Sequence, residues 1–197
     1  MNDTPHTFSH CPTPLDAETF FAYAEQAEAA GDTQGAFNFY HRAAEQGHAE
    51  AQCSLARYYM VGAGVSQNET LAVMWYTRAA EKGCAEAQSA LGHYLSTTDD
   101  VIAQFDGFDL MLAAAKQGYD QDYFTLGLCY LRGLVVHKDA TKAIAWFKKD
   151  VEAGNPIAAL KIAEIYKSGD GVPPDEAKAK MWSDIAAKME SDKEKSG

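Results

Sequence analysis

No apolar run in the 197 residues approaches the ~20 that a helical membrane span requires, so membrane insertion is not expected. The opening MNDTPHTFSHCPTP has neither a basic stretch nor an apolar core; no secretion signal is expected, and the cytoplasm is the expected location. Proline is scarce, which leaves long stretches free to be helical. The four cysteines (Cys11, Cys53, Cys84, Cys129) are 42, 31 and 45 residues apart with no CxxC pair. Free thiols in a reducing compartment are the expectation.

The motifs of common catalytic centres are also missing. There is no HExxH, GxSxG, GxxxxGK[ST] or GxGxxG. His6, His10 and Cys11 could share a helical face, but Pro12 and Pro14 oppose such a helix, so the three read as a chance cluster. Asp99, Asp100, Asp106 and Asp109 lack the spacing of a calcium loop and read as a solvated stretch that starts a helix. No catalytic residue, metal or cofactor is expected. Basic residues are few over residues 1–115, which hold 4 against 15 acidic ones, whereas residues 116–197 hold 13 of each sign. The whole net charge of −11 therefore belongs to the N-terminal part. It favours solubility, repels nucleic acid and would steer a basic partner.

What the chain does contain is helical periodicity, and it recurs. From about residue 15 the pattern is amphipathic, with Asp16 placed to cap AETFFAYAEQAEAA. Helix-ending glycines fall at Gly47, Gly83, Gly118 and Gly154, at intervals of 36, 35 and 36. An aromatic recurs as Phe39, Trp75, Trp146 and Trp182. A small pair recurs as Ala43-Ala44, Ala79-Ala80, Ala114-Ala115 and Ala186-Ala187. In the first helix of each pair, Leu55-Ala56, Leu91-Gly92, Leu126-Gly127 and Ile162-Ala163 coincide. The turns read Gly62-x-Gly64-Val65 and Gly169-x-Gly171-Val172; they follow helices rather than strands, so they are structural and not phosphate loops. A helix pair this short cannot bury its own apolar stripe, and stacking on a neighbour completes the core.

Residues Ala51–Gly83 resemble the repeat of the Sel1-like family, a relative of the tetratricopeptide repeats, with the pattern AxxxLGxxYxxGxGVxxxxxxAxxWxxxAAxxG. The resemblance implies an all-α, right-handed α-solenoid of about five helix-turn-helix pairs. These are expected at about residues 15–47, 48–83, 84–118, 119–154 and 155–189, between a flexible arm (1–14) and a flexible polar tail (190–197). The third pair departs furthest, lacking GxGV and placing Leu110-Met111 where tryptophan is expected. The fourth puts Val135 at the second turn glycine and Asp150-Val151 at the small pair.

The same resemblance implies that first helices line a concave, partner-binding face. The residues expected there are Arg57, Met60, His93, Phe124, Leu128, Leu131 and Arg132. Phe124, Leu128 and Leu131 read as an apolar strip flanked by a cation, the composition of an interface hot spot. The expected activity is that of a non-enzymatic adaptor or scaffold holding a peptide or helix of a protein partner, with a basic one suited to the charge. Homo-oligomerisation stays open. The alternatives are an inhibitor or immunity protein that blocks a toxin, and an enzyme with an acidic site in residues 99–122.

Overall fold

A computed structural model describes residues 15–196, with side chains to residue 194. The arm and its His6, His10 and Cys11 lie outside the described residues. Among the described residues the regular elements are ten α-helices and one 3-10 turn. In chain order they are α1 (Ala17–Ala29), α2 (Thr33–Glu45), α3 (Ala49–Val61), α4 (Glu69–Glu81), α5 (Ala85–Ser96), α6 (Val101–Lys116), a 3-10 turn (Asp120–Asp122), α7 (Tyr123–Arg132), α8 (Ala140–Glu152), α9 (Pro156–Ser168) and α10 (Glu176–Ser196). They form two compact units, one up to Trp75 and one from Tyr76, with the division inside α4.

In the first unit the boundaries come from caps. Asp16 Oδ1 accepts from the Thr19 N–H at 2.8 Å, and Asp32 Oδ1 from Gly35 at 2.9 Å, each satisfying an otherwise orphaned donor. At the end of α2 the N–H of His48 bonds the Ala43 carbonyl and that of Gly47 bonds Ala44, which requires Gly47 to take φ of +93°. His48 then caps α3, its Nδ1 accepting from Ala51 at 3.2 Å while its ring stacks on Phe21 at 4.3 Å. The core holds Ala24, Ala36, Tyr40, Ala43, Leu55 and Ala56, all essentially inaccessible.

In the second unit, α5 and α6 meet where Gly92 faces Gly107: a Cβ on Gly92 would lie 2.8 Å from the Gly107 carbonyl oxygen. α7, α8, α9 and α10 follow as two pairs around Ile144, Phe147, Ala158 and Ile162. Gly127 does the same service as Gly92, since a Cβ there would come within 2.5 Å of Phe147 Cε1.

The recurring tryptophan position is not the deepest one. Trp75 is buried, but Phe39, Trp146 and Trp182 are only half-buried. The residue that follows this position goes inside in each of the first four pairs: Tyr40, Tyr76, Met111 and Phe147 occupy one register position and all are buried. Met111 therefore fills the site that aromatics fill elsewhere, and the third pair keeps its core despite its degenerate sequence.

Two departures from the repeat change the backbone. α6 spans 16 residues, whereas α2, α4 and α8 span 13 each and end at the same register, so α6 begins a turn early at Val101. At the regular turns the second glycine lies against the first residue of the preceding second helix. A Cβ on Gly64 would be 2.9 Å from the Thr33 carbonyl oxygen, and one on Gly171 would be 2.7 Å from Ala140 Cβ. In the fourth pair that preceding helix is α6, and Val135 fits, packing on the cluster of Phe108, Met111, Leu126 and Cys129. Its φ of +51° keeps the left-handed turn at a strain of roughly 1–2 kcal/mol.

The sequence expectation ended the last helix at residue 189 with a flexible tail beyond. α10 instead runs through Ser196. The run ESDKEKS is rich in good helix formers, with opposite charges three apart at Glu190/Lys193 and Asp192/Lys195.

Candidate protein-interaction surfaces

In the first unit, Arg57 and Met60 sit on α3. The Arg57 side chain is half-exposed and its Nη2 lies 3.5 Å from Glu28 Oε1. Glu28 also accepts from the Tyr40 hydroxyl at 2.6 Å and the Tyr58 hydroxyl at 3.2 Å. Burial, then the Glu28 charge, pushes the Tyr58 phenol up to about 12 and raises Tyr40 as well. The guanidinium expected to meet a partner thus belongs to a network that ties α1, α2 and α3 together. Met60 is half-buried, and its carbonyl accepts from Gln67 Nε2 at 2.9 Å.

His93 on α5 was expected on the partner-binding face; the structure gives it a carboxylate from its own chain. Its Nε2 lies 2.9 Å from Asp122 Oδ1, and the same oxygen accepts from Ser89 Oγ at 2.9 Å. Asp122 has no exposure, and its Oδ2 has no hydrogen-bond partner. The hydrogen bond to Asp122 raises the His93 pKa above the usual 6.5, outweighing the opposing effect of burial. Asp122 stands at the register of Ala51, Ala87 and Ala158, all fully buried. A carboxylate in an alanine's place accompanies the 3-10 turn Asp120–Asp122, which delays α7 to Tyr123. The sequence reading missed this buried group, although DQDY against AEAQ was a visible signal.

Phe124, Leu128 and Leu131 on α7 are half-buried. They pack against the cluster of Ile144, Phe147, Ala158 and Ile162, with the Phe124 and Phe147 ring centroids 5.4 Å apart. The strip expected to be open is thus largely a packing edge between α7 and the pair behind it. Arg132 is exposed at the end of α7. The large apolar side chains that do face water on first helices are Tyr23 and Val61 in the first unit and Ile157 and Leu160 in the second. Leu160 occupies the register of Phe124, one repeat later.

The acidic stretch is solvated as expected. Asp99, Asp100, Asp106 and Asp109 are exposed, and Asp100 Oδ1 caps α6 by accepting from Ile102 at 2.9 Å. No group of His, Cys, Asp and Glu among the described residues is arranged to hold a metal ion. No described helix is long and apolar enough to cross a membrane.

A contact shared by the second and third pairs, and one particular to the fourth, also escaped sequence reading. Gln52 Nε2 donates to the Ala44 carbonyl at 3.1 Å, and Gln88 Nε2 donates to Ala80 at 3.3 Å, so the glutamine of AEAQ closes the end of the preceding helix. Asp150, at the small-pair position, is buried and accepts from Asn155 Nδ2 at 2.7 Å. Burial raises its pKa, against the Asn155 bond.

Comparison with known proteins agrees with this geometry. The Sel1 repeat pattern matches residues 21–48, 49–84, 123–155 and 156–191, leaving out the third pair. A Sel1 repeat protein from Oxalobacter formigenes superposes with a TM-score of 0.74 at 29% identity, covering 88% of this chain and 71% of that one. The protective antigen c5321 of uropathogenic Escherichia coli, which displays an SLR fold, superposes with a TM-score of 0.75 at 30% identity, covering 92% of this chain and 42% of that one. The ERAD-associated E3 ubiquitin-protein ligase component HRD3A of Arabidopsis thaliana is 36% identical over 69 residues, 34% of this chain and 10% of that protein. The chain thus spans about a tenth of the length of that curated relative. The fold class is the all-α solenoid of the Sel1 repeat structures it matches. With the repeat pattern found four times over more than half of its length, the chain belongs to the Sel1 repeat family.

Proposed function

We propose that this chain is a non-enzymatic adaptor or scaffold that captures a segment of another protein on the exposed side of its first helices. The observation that carries the reading is the exposure of Ile157 (54%) and Leu160 (45%) on α9. They lie opposite the buried stripe Ala158, Ala159, Ile162 and Ile165, beside the Lys161–Glu164 ion pair. Two large aliphatic side chains on the outer face of a helix that already has a complete core suit a partner's apolar side chain. Phe124, Leu128 and Leu131 supply half-buried edges on α7, with Arg132 at its end. Arg57 and Met60 give the first unit a first-helix surface of its own. Membership of a repeat family supports the reading, since stacked repeats present extended binding surfaces. The Arabidopsis relative is a component of a ligase, a role that accords with an adaptor.

The test is affinity capture from cells that make the protein, with the native chain and the Ile157→Asp/Leu160→Asp variant compared by quantitative mass spectrometry. The reading expects one or a few proteins to be lost with the variant. An identical set of captured proteins would contradict it. The nature of the lost protein, whether a component of an assembly or a toxin, separates adaptor from inhibitor.

A further inference from the structure

The additional first turn of α6 leaves a second apolar surface, on a second helix and away from α9. Val101, Ile102 and Phe105 are 60%, 72% and 48% exposed and share one helical face with Asp106 and Asp109. Beneath Phe105 a cleft of about 620 Å3 opens between α6 and the turn after α7, lined by Tyr130, Val135, Val136, His137 and Lys142. The strained Val135 also lines a second cavity of about 310 Å3, with Gln104, Phe108, Met111 and Leu134. Val135 thus stands as a wedge under the exposed end of α6, and Leu134 beside it is 49% exposed.

Neither packing nor solubility explains this face. The other second helices start a turn later, and the third pair spends Val101 and Ile102 on an extension that buries neither. Charge indicates what would cover it. From Gly83 to Ala115 the chain has no lysine or arginine, while Asp99, Asp100, Asp106 and Asp109 surround the apolar residues. On the far rim, Lys142 is held by Asp139 at 3.5 Å and lies over the Tyr130 ring at 5.3 Å.

We propose that the exposed face of α6 and the cleft beneath Phe105 form a docking site for a cationic amphipathic segment of a partner protein. Apolar side chains of that segment pack on Ile102 and Phe105, and its lysines or arginines pair with Asp99, Asp100, Asp106 and Asp109. The site is independent of the α9 surface, and either can stand without the other.

The test uses a fluorescein-labelled helical peptide of leucine and lysine, about 18 residues long, and its leucine–glutamate counterpart at the same spacing. Fluorescence anisotropy is read with the native chain, with Ile102→Ser/Phe105→Ser and with Asp106→Lys/Asp109→Lys. The native chain should bind the lysine peptide saturably, one to one and about tenfold or more tighter than the glutamate peptide. Each variant should lose about tenfold in affinity, and added salt should weaken only binding that retains the aspartates. All four side chains are exposed, so helical content and melting temperature should hold; if the serine variant melts early, the charge-reversal variant decides. Absent binding, or equal binding by all three proteins, would overturn the proposal. So would self-association of the native chain in sedimentation velocity that the serine variant abolishes, because the occupant would then be a second copy.

Discussion

His93 Nε2 lies 2.9 Å from Asp122 Oδ1, so the first helix of the third pair is tied to the start of the fourth by an imidazole on a fully buried carboxylate. The bond raises the His93 pKa above 6.5. A group whose folded pKa is raised adds stability that is complete below its unfolded pKa and is lost as pH rises through the folded value. The native chain should therefore exceed His93→Gln in melting temperature most clearly at a pH about one unit below 6.5, and lose that margin progressively as pH rises through the raised value. The ring is half-exposed, so screening holds the margin below about 1 kcal/mol. A margin that is flat across this range would mean the pair is not linked to folding.

Gly127 faces Phe147 so closely that a Cβ would meet the ring at 2.5 Å. Gly127→Ala should destabilise the chain by about 1–2 kcal/mol in chemical denaturation, the clash outweighing the gain in helix propensity. Phe147→Leu in the same chain should recover part of that loss, because it removes the atoms struck. Failure to recover would place the clash elsewhere.

The period, the caps and the turn glycines were legible in the sequence because they depend on neighbours a few residues away. Asp16, Gly47 and Gly62 do what their types allow locally. The depth of a side chain was less legible. Tryptophan marks the repeat to the eye, yet the inner register belongs to Tyr40, Tyr76, Met111 and Phe147, whose chemistry varies while their volume fills the same gap. The role of His93 was hidden because Asp122 reaches it from 29 positions away. Ile157 and Leu160 stand five and two positions before the core Ile162, a spacing that already sets them off its buried stripe, and the packed helix shows both facing water.

Phe124 and Leu128 carry the largest departure from the sequence expectation, since both pack on the core that Phe147 centres. Phe124→Ala with Leu128→Ala should lower stability by about 2–4 kcal/mol, allowing for their partial burial. Leu160→Ala, at the equivalent register of α9 but exposed, should cost under about 1 kcal/mol. Denaturant titration of the two proteins checks the contrast, and equal stabilities would contradict the packing described.

The central claim is that a partner lies on the first-helix side of α9, and photocrosslinking in the cells that make the protein addresses it most directly. Benzoylphenylalanine would replace Leu160 in one protein and Ala145, exposed on α8, in another. The account predicts a discrete adduct from position 160 that is absent from position 145. Adducts of equal yield from both positions, or none from position 160, would contradict it.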